Sequence, residues 1–285
     1  MAAPLPSAVA PRSTVAASRS ALVALLVRDI TVIRKDLKLF VLRTVIQPFL
    51  LCFVFLYVFP KIGQSVGGAG SGAETAFATI LVAGVVGISV MFQGLQSVAL
   101  QMAQEFGFTR EIEDRVQAPC PIWLVAVEKV VSGALQGVIS ALIVLPIAAL
   151  VHARGVQAEL HFHFLVMATL VPLAGLAMGS LGLVLGTIFE PRNIGLMFGF
   201  IVLPITFLGG TYYQWSHLAP VKVGGWHWLQ TIVLLNPLLY VNEGMRAAFT
   251  NTAHLPLYVI YPVLLAFFVG FLSLGLRNFR RRVLS

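Results

Sequence analysis

The stretch Thr75–Gln104 reads TAFATILVAGVVGISVMFQGLQSVALQMAQ and contains no Asp, Glu, Lys or Arg. An α-helix rises about 1.5 Å per residue, so about 20 apolar residues cross the roughly 30 Å hydrocarbon core of a bilayer. This stretch is long enough to cross a membrane without help from its neighbours. It therefore predicts a transmembrane helix, and the rest of the chain can be read against it.

The composition agrees with a membrane protein. Of 285 residues, 58% are hydrophobic and 11% are charged, and the mean hydropathy is +0.91. Soluble domains carry about 25% charged residues, so the composition excludes an ordinary soluble or a disordered protein. The two cysteines exclude a disulfide-based scaffold.

Six apolar stretches are predicted to span the membrane. They are Phe40–Phe59, Phe77–Leu100, Val130–Val151, Phe164–Phe189, Ile194–Leu208 and Leu257–Leu276. A further charge-free run, Val223–Asn242, has an uninterrupted apolar core of only Thr231–Leu235, and the Asn236-Pro237 pair that follows breaks a helix. We predict an all-α integral membrane protein with six transmembrane helices and a re-entrant outer helical segment, residues 209–254, before the last span.

The distribution of basic residues predicts the orientation. With six spans both termini share one side of the membrane, and that side carries 15 of the 19 Lys and Arg residues. Since basic residues are enriched in cytoplasmic segments, both termini are predicted to be cytoplasmic, in the cell (plasma) membrane. The net charge of +8 is explained by this topology, so no nucleic-acid partner is expected.

The predicted spans, residues 40–276, are flanked by three other kinds of segment. Residues 1–20 are rich in Ala, Pro and Ser and predict a disordered cytoplasmic tail, and residues 277–285 predict a basic cytoplasmic tail. Residues 21–39 predict an amphipathic helix lying in the interface. Its apolar face is formed by Leu22, Leu26, Ile30, Ile33, Leu37 and Phe40, and its polar face by Arg28, Thr31, Lys35 and Lys38.

The cytoplasmic loop 104–121 combines charge with an apolar stripe. Phe108, Ile112 and Val116 stand four residues apart, on one face of a predicted short helix that Pro119 ends. Such a helix suits a groove on a partner protein. The alternative is an ordinary loop whose apolar residues rest on the membrane.

Several kinds of chemistry are missing from the sequence. It has no GxxxxGK[ST] phosphate loop, no HExxH motif and no GxSxG motif. His152, His161 and His163 fall in a predicted outer loop and could hold a metal, but we expect none. The span cores carry essentially no charged residues beyond Arg43, which argues against ion-coupled transport and for energy supplied from outside the membrane.

Two stretches resemble the permease subunits of type-2 ABC exporters, which export drugs, polysaccharides and glycolipids. The first runs EFGFTRE from Glu105, through Ala118-Pro119, to Glu128-Lys129, where Glu128 stands in place of the usual glycine. The second reads FLGGTYY from Phe207, then WLQ from Trp228 and NPLLY from Asn236, with Arg246 downstream. In this second stretch Gln214-Trp215 follow the tyrosines, where a proline is usual.

The resemblance implies the transmembrane subunit of an ATP-driven exporter. Such a subunit forms the translocation path as a dimer, with a second copy or a paralogue, and couples to a separate ABC ATPase that carries ATP and Mg. This chain would then have no ATPase site or cofactor of its own. An apolar wall with few polar groups, in contact with membrane lipids, suits a lipid-like cargo, an amphiphilic drug or a glycan-lipid. Two alternatives stay open: an ATP-independent carrier or channel, and an outer-face membrane enzyme that uses the histidines.

The resemblance also implies three groups of site residues. The residues that couple to the ATPase are Phe106, Gly107, Phe108, Thr109, Arg110, Ile112 and Val116, with Arg28 and Lys35 of the N-terminal helix. The residues that line the path, on the first, second and fifth spans, are Gln47, Phe53, Gln93, Gln96 and Thr206. The residues of the outer gate are Tyr212, Tyr213, Asn236, Pro237, Glu243 and Arg246. Glu243 and Arg246, three apart on a helix, either pair with each other or cap the exit of the dimer.

Overall fold

A computed structural model describes residues 14–64, 71–107, 121–153 and 155–284, and these are mostly helical, as predicted. The helices are α1 Thr14–Lys35, α2 Leu37–Lys61, α3 Ser71–Gly107, α4 Ile122–Leu150, α5 Phe164–Ile188, α6 Ile194–Leu208, α7 Trp228–Val233, α8 Pro237–Phe249 and α9 Leu257–Leu284. Two of them contain a wider π-helical turn, Phe53–Val58 in α2 and Phe198–Val202 in α6.

Five of these helices are long and apolar enough to cross a membrane, namely α2, α3, α4, α5 and α9. They correspond to five of the six predicted spans. The sixth, α6, is apolar but measures only about 22 Å at 1.5 Å per residue. The sixth crossing and the re-entrant path of residues 209–254 therefore stay predictions.

Helix α3 forms the centre of the bundle. In an apolar 18-residue stretch of α3, 78% of the residues are buried, against 28% in the corresponding stretch of α2 and 17% in that of α9. It packs against α2, α4, α5 and α8. Helix α5 can lie close to α4 because Gly175 and Gly179 have no side chain. A Cβ at either position would stand only 3.0 Å from an α4 carbonyl oxygen. Small residues at such contacts let two membrane helices approach until their backbones touch.

The two ends of the bundle differ in composition. We call the end where α3 stops, α4 begins and α9 stops the basic end, and the end formed by residues 209–254 the aromatic end. At the basic end the helices run past the predicted spans. In particular, α9 continues to Leu284, so residues 277–284 of the predicted basic tail extend the last helix. The helix persists there because Phe279 is buried and Arg282 donates to three backbone carbonyls of residues 186–189, at the end of α5.

The N-terminal helix also departs from its predicted bounds of 21–39. Helix α1 begins at Thr14, inside the predicted tail, since the alanines of this stretch favour helix. It ends at Lys35 because Asp36 (φ −105°, ψ 28°) leaves the helical conformation, and α2 starts at Leu37. The inward face of α1 has Asp29 at its centre, whereas Ile30, predicted on the apolar face, is 45% exposed.

Candidate functional site

A cluster of buried charges lies at the basic end. Lys129 is 1% exposed, and its Nζ lies 3.0 Å from Glu105 Oε1, 3.8 Å from Asp29 Oδ2 and 3.9 Å from Glu128 Oε2. Ser132 Oγ donates to the same Asp29 oxygen at 2.8 Å. We call Asp29, Glu105, Glu128, Lys129 and Ser132 the Lys129 cluster.

The cluster joins three helices around one segment. Asp29 comes from α1, Glu105 from the last turn of α3, and the other members from the start of α4. The end of α3 and the start of α4 flank residues 108–120 on both sides. A buried charge is stable only when it is paired. Moving any one of these helices would therefore separate charges that are paired across all three. Glu128 stands where the permeases that this sequence resembles usually have a glycine, and it supplies one of the three carboxylates.

Asp29 is the member of the cluster that ties α1 to the bundle. Burial raises the pKa of its carboxyl, but the charge of Lys129 and the hydrogen bond from Ser132 lower it further, so that the net pKa lies below its usual value. Asp29 is therefore ionised near neutral pH and holds α1 against α4 by charge as well as by packing.

The predicted coupling residues are placed only in part. Phe106 packs against the ring of Phe279 at 5.7 Å, with the Arg282 guanidinium 4.6 Å above its own ring. Gly107, the last residue of α3, is exposed, as are Lys35 and Arg28 on α1, and Arg28 pairs with Asp29 at 3.2 Å. The others, Phe108, Thr109, Arg110, Ile112 and Val116, lie outside the described residues.

Three of the five predicted pathway residues come together. Gln47 of α2 and Gln93 and Gln96 of α3 line one cavity of about 30 Å³, which also touches α4. Arg43, Thr44, Ser89 and Ser140 contribute further polar groups to its wall. Among the described residues, the buried atoms Thr44 Oγ1, Gln93 Nε2 and Ser140 Oγ have no hydrogen-bond partner. The cavity is thus a polar spot inside an apolar bundle.

The other two predicted pathway residues lie elsewhere. Phe53 is on the outward face of α2, where it stacks with Phe49 at 5.7 Å and Tyr57 at 5.4 Å. Thr206 is buried in α6 and donates to Val202 O of its own helix at 2.8 Å. Sequence reasoning therefore picked out the three glutamines of the cavity, but the five predicted pathway residues do not form a single continuous wall.

At the aromatic end, α8 is buried along its whole length and holds the segment that follows α6. Glu243 and Arg246 form the ion pair that their spacing predicts, at 2.8 Å. The Arg246 guanidinium also donates to Tyr213 O at 2.9 Å and to Gly210 O. Glu243 accepts from the backbone N–H groups of Trp215 at 3.1 Å and Leu255 at 2.8 Å. This pair thus fixes the chain on both sides of α7 and α8.

Two asparagines of the same region complete the attachment. Asn236 caps α8 by accepting from Leu238 N at 2.9 Å and donates to Ile205 O of α6 at 2.7 Å, and Pro237 occupies the first helical position. Asn242 donates to Gly209 O at 2.7 Å and to Thr211 Oγ1 at 3.0 Å. We call Asn236, Asn242, Glu243 and Arg246, with the segment 209–215 that they hold, the outer latch.

The predicted gate tyrosines lie in the outer latch. Tyr212 is half-buried, with its ring 5.6 Å from Phe55 of α2. The Tyr213 hydroxyl donates to Phe207 O at 3.3 Å. Helix α3 closes over the latch because Gly84 and Gly87 have no side chain: a Cβ at Gly84 would overlap Thr211 O, and one at Gly87 would overlap Asn242 Oδ1.

The histidines do not converge in the described part of the chain. There, no three His, Cys, Asp or Glu side chains lie close enough to hold a metal ion. The His161 and His163 backbone N–H groups donate instead to Phe249 O and Ala248 O, at the end of α8.

Sequence reasoning placed no member of the Lys129 cluster among the predicted site residues, and it missed Asn242 as well. Asp29 was not expected to face inward, although its spacing from Leu22, Leu25 and Ile33 puts it on their face. Asn242 gave no signal beyond being a polar residue in an otherwise apolar helix.

Comparison with known proteins identifies the family of the chain. The family model of the ABC-2 type transporter matches residues 20–250. The inner membrane transport permease YadH of Escherichia coli (strain K12) is 28% identical over 234 residues, which cover 80% of this chain and 84% of that protein. The permease of the same name from Shigella flexneri matches to the same extent. The chain is a membrane protein that belongs to the ABC-2 type transporter family.

Proposed function

We propose that this chain is the transmembrane subunit of an ATP-driven exporter, working as a dimer with separate ABC ATPase subunits at its basic end. The ATPase supplies ATP, Mg and hydrolysis, and this chain supplies the path. In this proposal the basic end is cytoplasmic, both termini lie there, and the protein resides in the inner (plasma) membrane. Membership of the ABC-2 family and the transport permease relatives support this assignment.

The Lys129 cluster is the observation that carries the proposal. A movement imposed on residues 108–120 by a partner acts on the end of α3 and the start of α4, which the cluster binds to each other and to α1. Because three helices share one buried lysine, they respond together rather than one at a time. Such a junction is what a coupling site requires.

The polar cavity supports a path beside α3. Gln47, Gln93 and Gln96 offer hydrogen bonds to a polar head group, while the outward face of α2 offers apolar surface at Leu42, Ile46 and Leu50. An apolar wall with a polar spot suits a lipid-like cargo, an amphiphilic drug or a glycan-lipid. Movement of α2 away from α3 would widen the cavity into a path between two copies of the chain.

The outer latch is proposed to act as the gate. Tyr212 contacts α2, and Arg246 and Glu243 fix the segment that carries it. An outward movement of α2 would therefore break a contact at the gate.

The composition of the purified complex tests the proposal. The tagged full chain, at 30.8 kDa, is extracted in mild detergent and the complex is weighed by native mass spectrometry. We expect two copies of this chain, or one copy and a paralogue, with two ABC ATPase subunits. A self-oligomer that hydrolyses no ATP and retains no ATPase would favour a carrier or channel instead. Loss of transport on joint replacement of His152, His161 and His163 would favour the enzyme.

A further inference from the structure

A cleft at the basic end combines apolar walls with three arginines. It lies between the first turn of α4 and the last turns of α9 and has a volume of about 820 Å³. Its lining residues are Ile122, Trp123, Leu276, Arg277, Phe279, Arg280 and Arg281. We call it the arginine cleft. A cavity of this size is within the range of small-molecule and lipid sites.

The packing of α9 determines which way its arginines face. Phe279 and Arg282 are turned inward, where Phe279 meets Phe106 and Arg282 caps the end of α5. Arg277, Arg280 and Arg281 stand at i, i+3 and i+4, so they share another face of the same helix. Since the inward residues fix the rotation of α9, the three arginines are held at the cleft without needing a ligand to order the helix.

The charges of this cleft are not neutralised within the described part of the chain. None of its three arginines forms an ion pair with a described acidic residue, and all three are exposed. By contrast, Arg246 and Lys129 are paired and buried. Three guanidinium groups in one cleft fit an anion with several oxygens, such as a phosphate, which arginine binds through two parallel hydrogen bonds.

The position of the cleft indicates how such an anion arrives. Both helices that form it are among those long enough to cross a membrane, and the cleft lies at one end of both. Helix α9 is about 42 Å long at 1.5 Å per residue, so its last turns reach the head-group region. Trp123, 54% exposed, stands where interfacial tryptophans anchor membrane proteins. The apolar residues that line the cleft, Ile122, Trp123, Leu276 and Phe279, stand beside the arginines.

We propose that the arginine cleft binds an anionic phospholipid. The phosphate lies among Arg277, Arg280 and Arg281, and the acyl chain follows Ile122, Trp123 and Leu276. Basic pockets between membrane helices recognise anionic head groups in this way. The site is separate from the polar cavity and does not depend on the ATPase coupling proposed above.

Lipid binding to the purified full chain tests the site. Phosphatidylglycerol and phosphatidylcholine with identical acyl chains are titrated in detergent and counted by native mass spectrometry. We expect phosphatidylglycerol to bind roughly tenfold more tightly. The triple variant R277Q/R280Q/R281Q loses that preference. W123A weakens both lipids equally, because it removes apolar wall and no charge.

A control variant separates the cleft from net charge. R34Q/K38Q/R192Q removes three basic residues from the same end of the bundle, and it keeps the preference if the cleft is the site. Equal binding of the two lipids by the wild type, or equal loss in both triple variants, would overturn the proposal. Displacement of the lipid by millimolar inorganic phosphate would assign the cleft to free phosphate instead. Loss of a co-purifying ATPase in R277Q/R280Q/R281Q, with lipid preference unchanged, would assign it to a protein partner.

Discussion

Lys129 is a buried cation with three carboxylates around it. Its ammonium lies within 4 Å of Glu105, Asp29 and Glu128. A buried ion pair adds little net stability compared with an apolar replacement of the whole set, but removing one partner leaves the other charges uncompensated. The buried carboxylates therefore depend on this lysine for their stability. A single substitution at Lys129 measures how much it contributes to the free energy of unfolding.

We expect K129M to lower the free energy of unfolding by about 3–5 kcal/mol, because the carboxylates lose their shared cation. Thermal unfolding of the purified protein in detergent measures this. The matched control is K222M, at an exposed lysine in the predicted outer segment, which leaves the unfolding midpoint unchanged. Equal midpoints for K129M and K222M would contradict the role given to Lys129.

A second test concerns the outer latch. E243Q keeps the shape of the side chain but places an amide where the carboxylate accepts from Arg246 and from the Trp215 and Leu255 N–H groups. We expect a loss of about 3–5 kcal/mol of stability, and faster proteolysis within residues 209–235. E190Q, which removes an exposed carboxylate paired with Arg192, serves as control and leaves both properties near those of the wild type. The latch assignment fails if the two variants behave alike.

Single residues differed in how well the sequence predicted them. The Glu243–Arg246 pair follows from an i, i+3 spacing, which sequence displays directly. The partners of Lys129 come from three helices, and nothing in the sequence states which helix faces which. Asp29 was therefore missed although its own helix was predicted.

At the scale of elements, α5 shows how the bundle reaches its packing density. Its glycines face α3 and α4 at positions where any side chain would meet backbone. At Gly182 a Cβ would lie 2.5 Å from Leu95 O of α3. The apolar character of the two helices gives them no preference for each other over lipid, so close backbone contact is what holds them together.

We expect G182A to push α5 away from α3 and to lower the midpoint of thermal unfolding. G199A, in α6, is the control, because a Cβ there meets nothing within 4 Å and alanine favours helix over glycine. The control is thus neutral or slightly stabilising. A midpoint for G182A at or above that of G199A would show that the α3–α5 contact tolerates separation.

The sequence predicted where the helices lie better than where they end. Charge-free runs mark the part of each helix that fits hydrocarbon, and Ile194–Leu208 is both a predicted span and the whole of α6. At the basic end the predicted spans stop short of the helix ends, at Leu100 and Val130, because Glu105, Glu128 and Lys129 were taken as flanking charges. They are helical and buried, with Lys129 paired to both carboxylates, and this pairing depends on tertiary structure.

At the scale of the whole molecule, α3 connects the two sites. It is 37 residues long, about 55 Å, with Glu105 in the Lys129 cluster near one end and Gly84 and Gly87 against the outer latch nearer the other. A rigid displacement of α3 would therefore act on both sites. In the proposed function, this continuity would couple an event at the basic end to opening at the aromatic end.

Cysteine labelling tests the proposed orientation. In a background with Cys52 and Cys120 replaced by alanine, we expect S216C to react with a membrane-impermeant maleimide added to intact cells. S285C is expected to react only after the cells are opened. Labelling of S285C from outside would contradict a cytoplasmic basic end and an even number of spans.

The measurement that bears most directly on the central claim compares ATPase recovery between two forms of the chain. Wild type and I112D, both tagged, are extracted in mild detergent, and the ABC ATPase that co-purifies is quantified by mass spectrometry. We predict an equimolar ATPase with the wild type and its loss with I112D, whose yield and unfolding midpoint stay those of the wild type. An ATPase retained equally by both forms would contradict coupling through residues 104–121, and no ATPase with either form would contradict the exporter assignment itself.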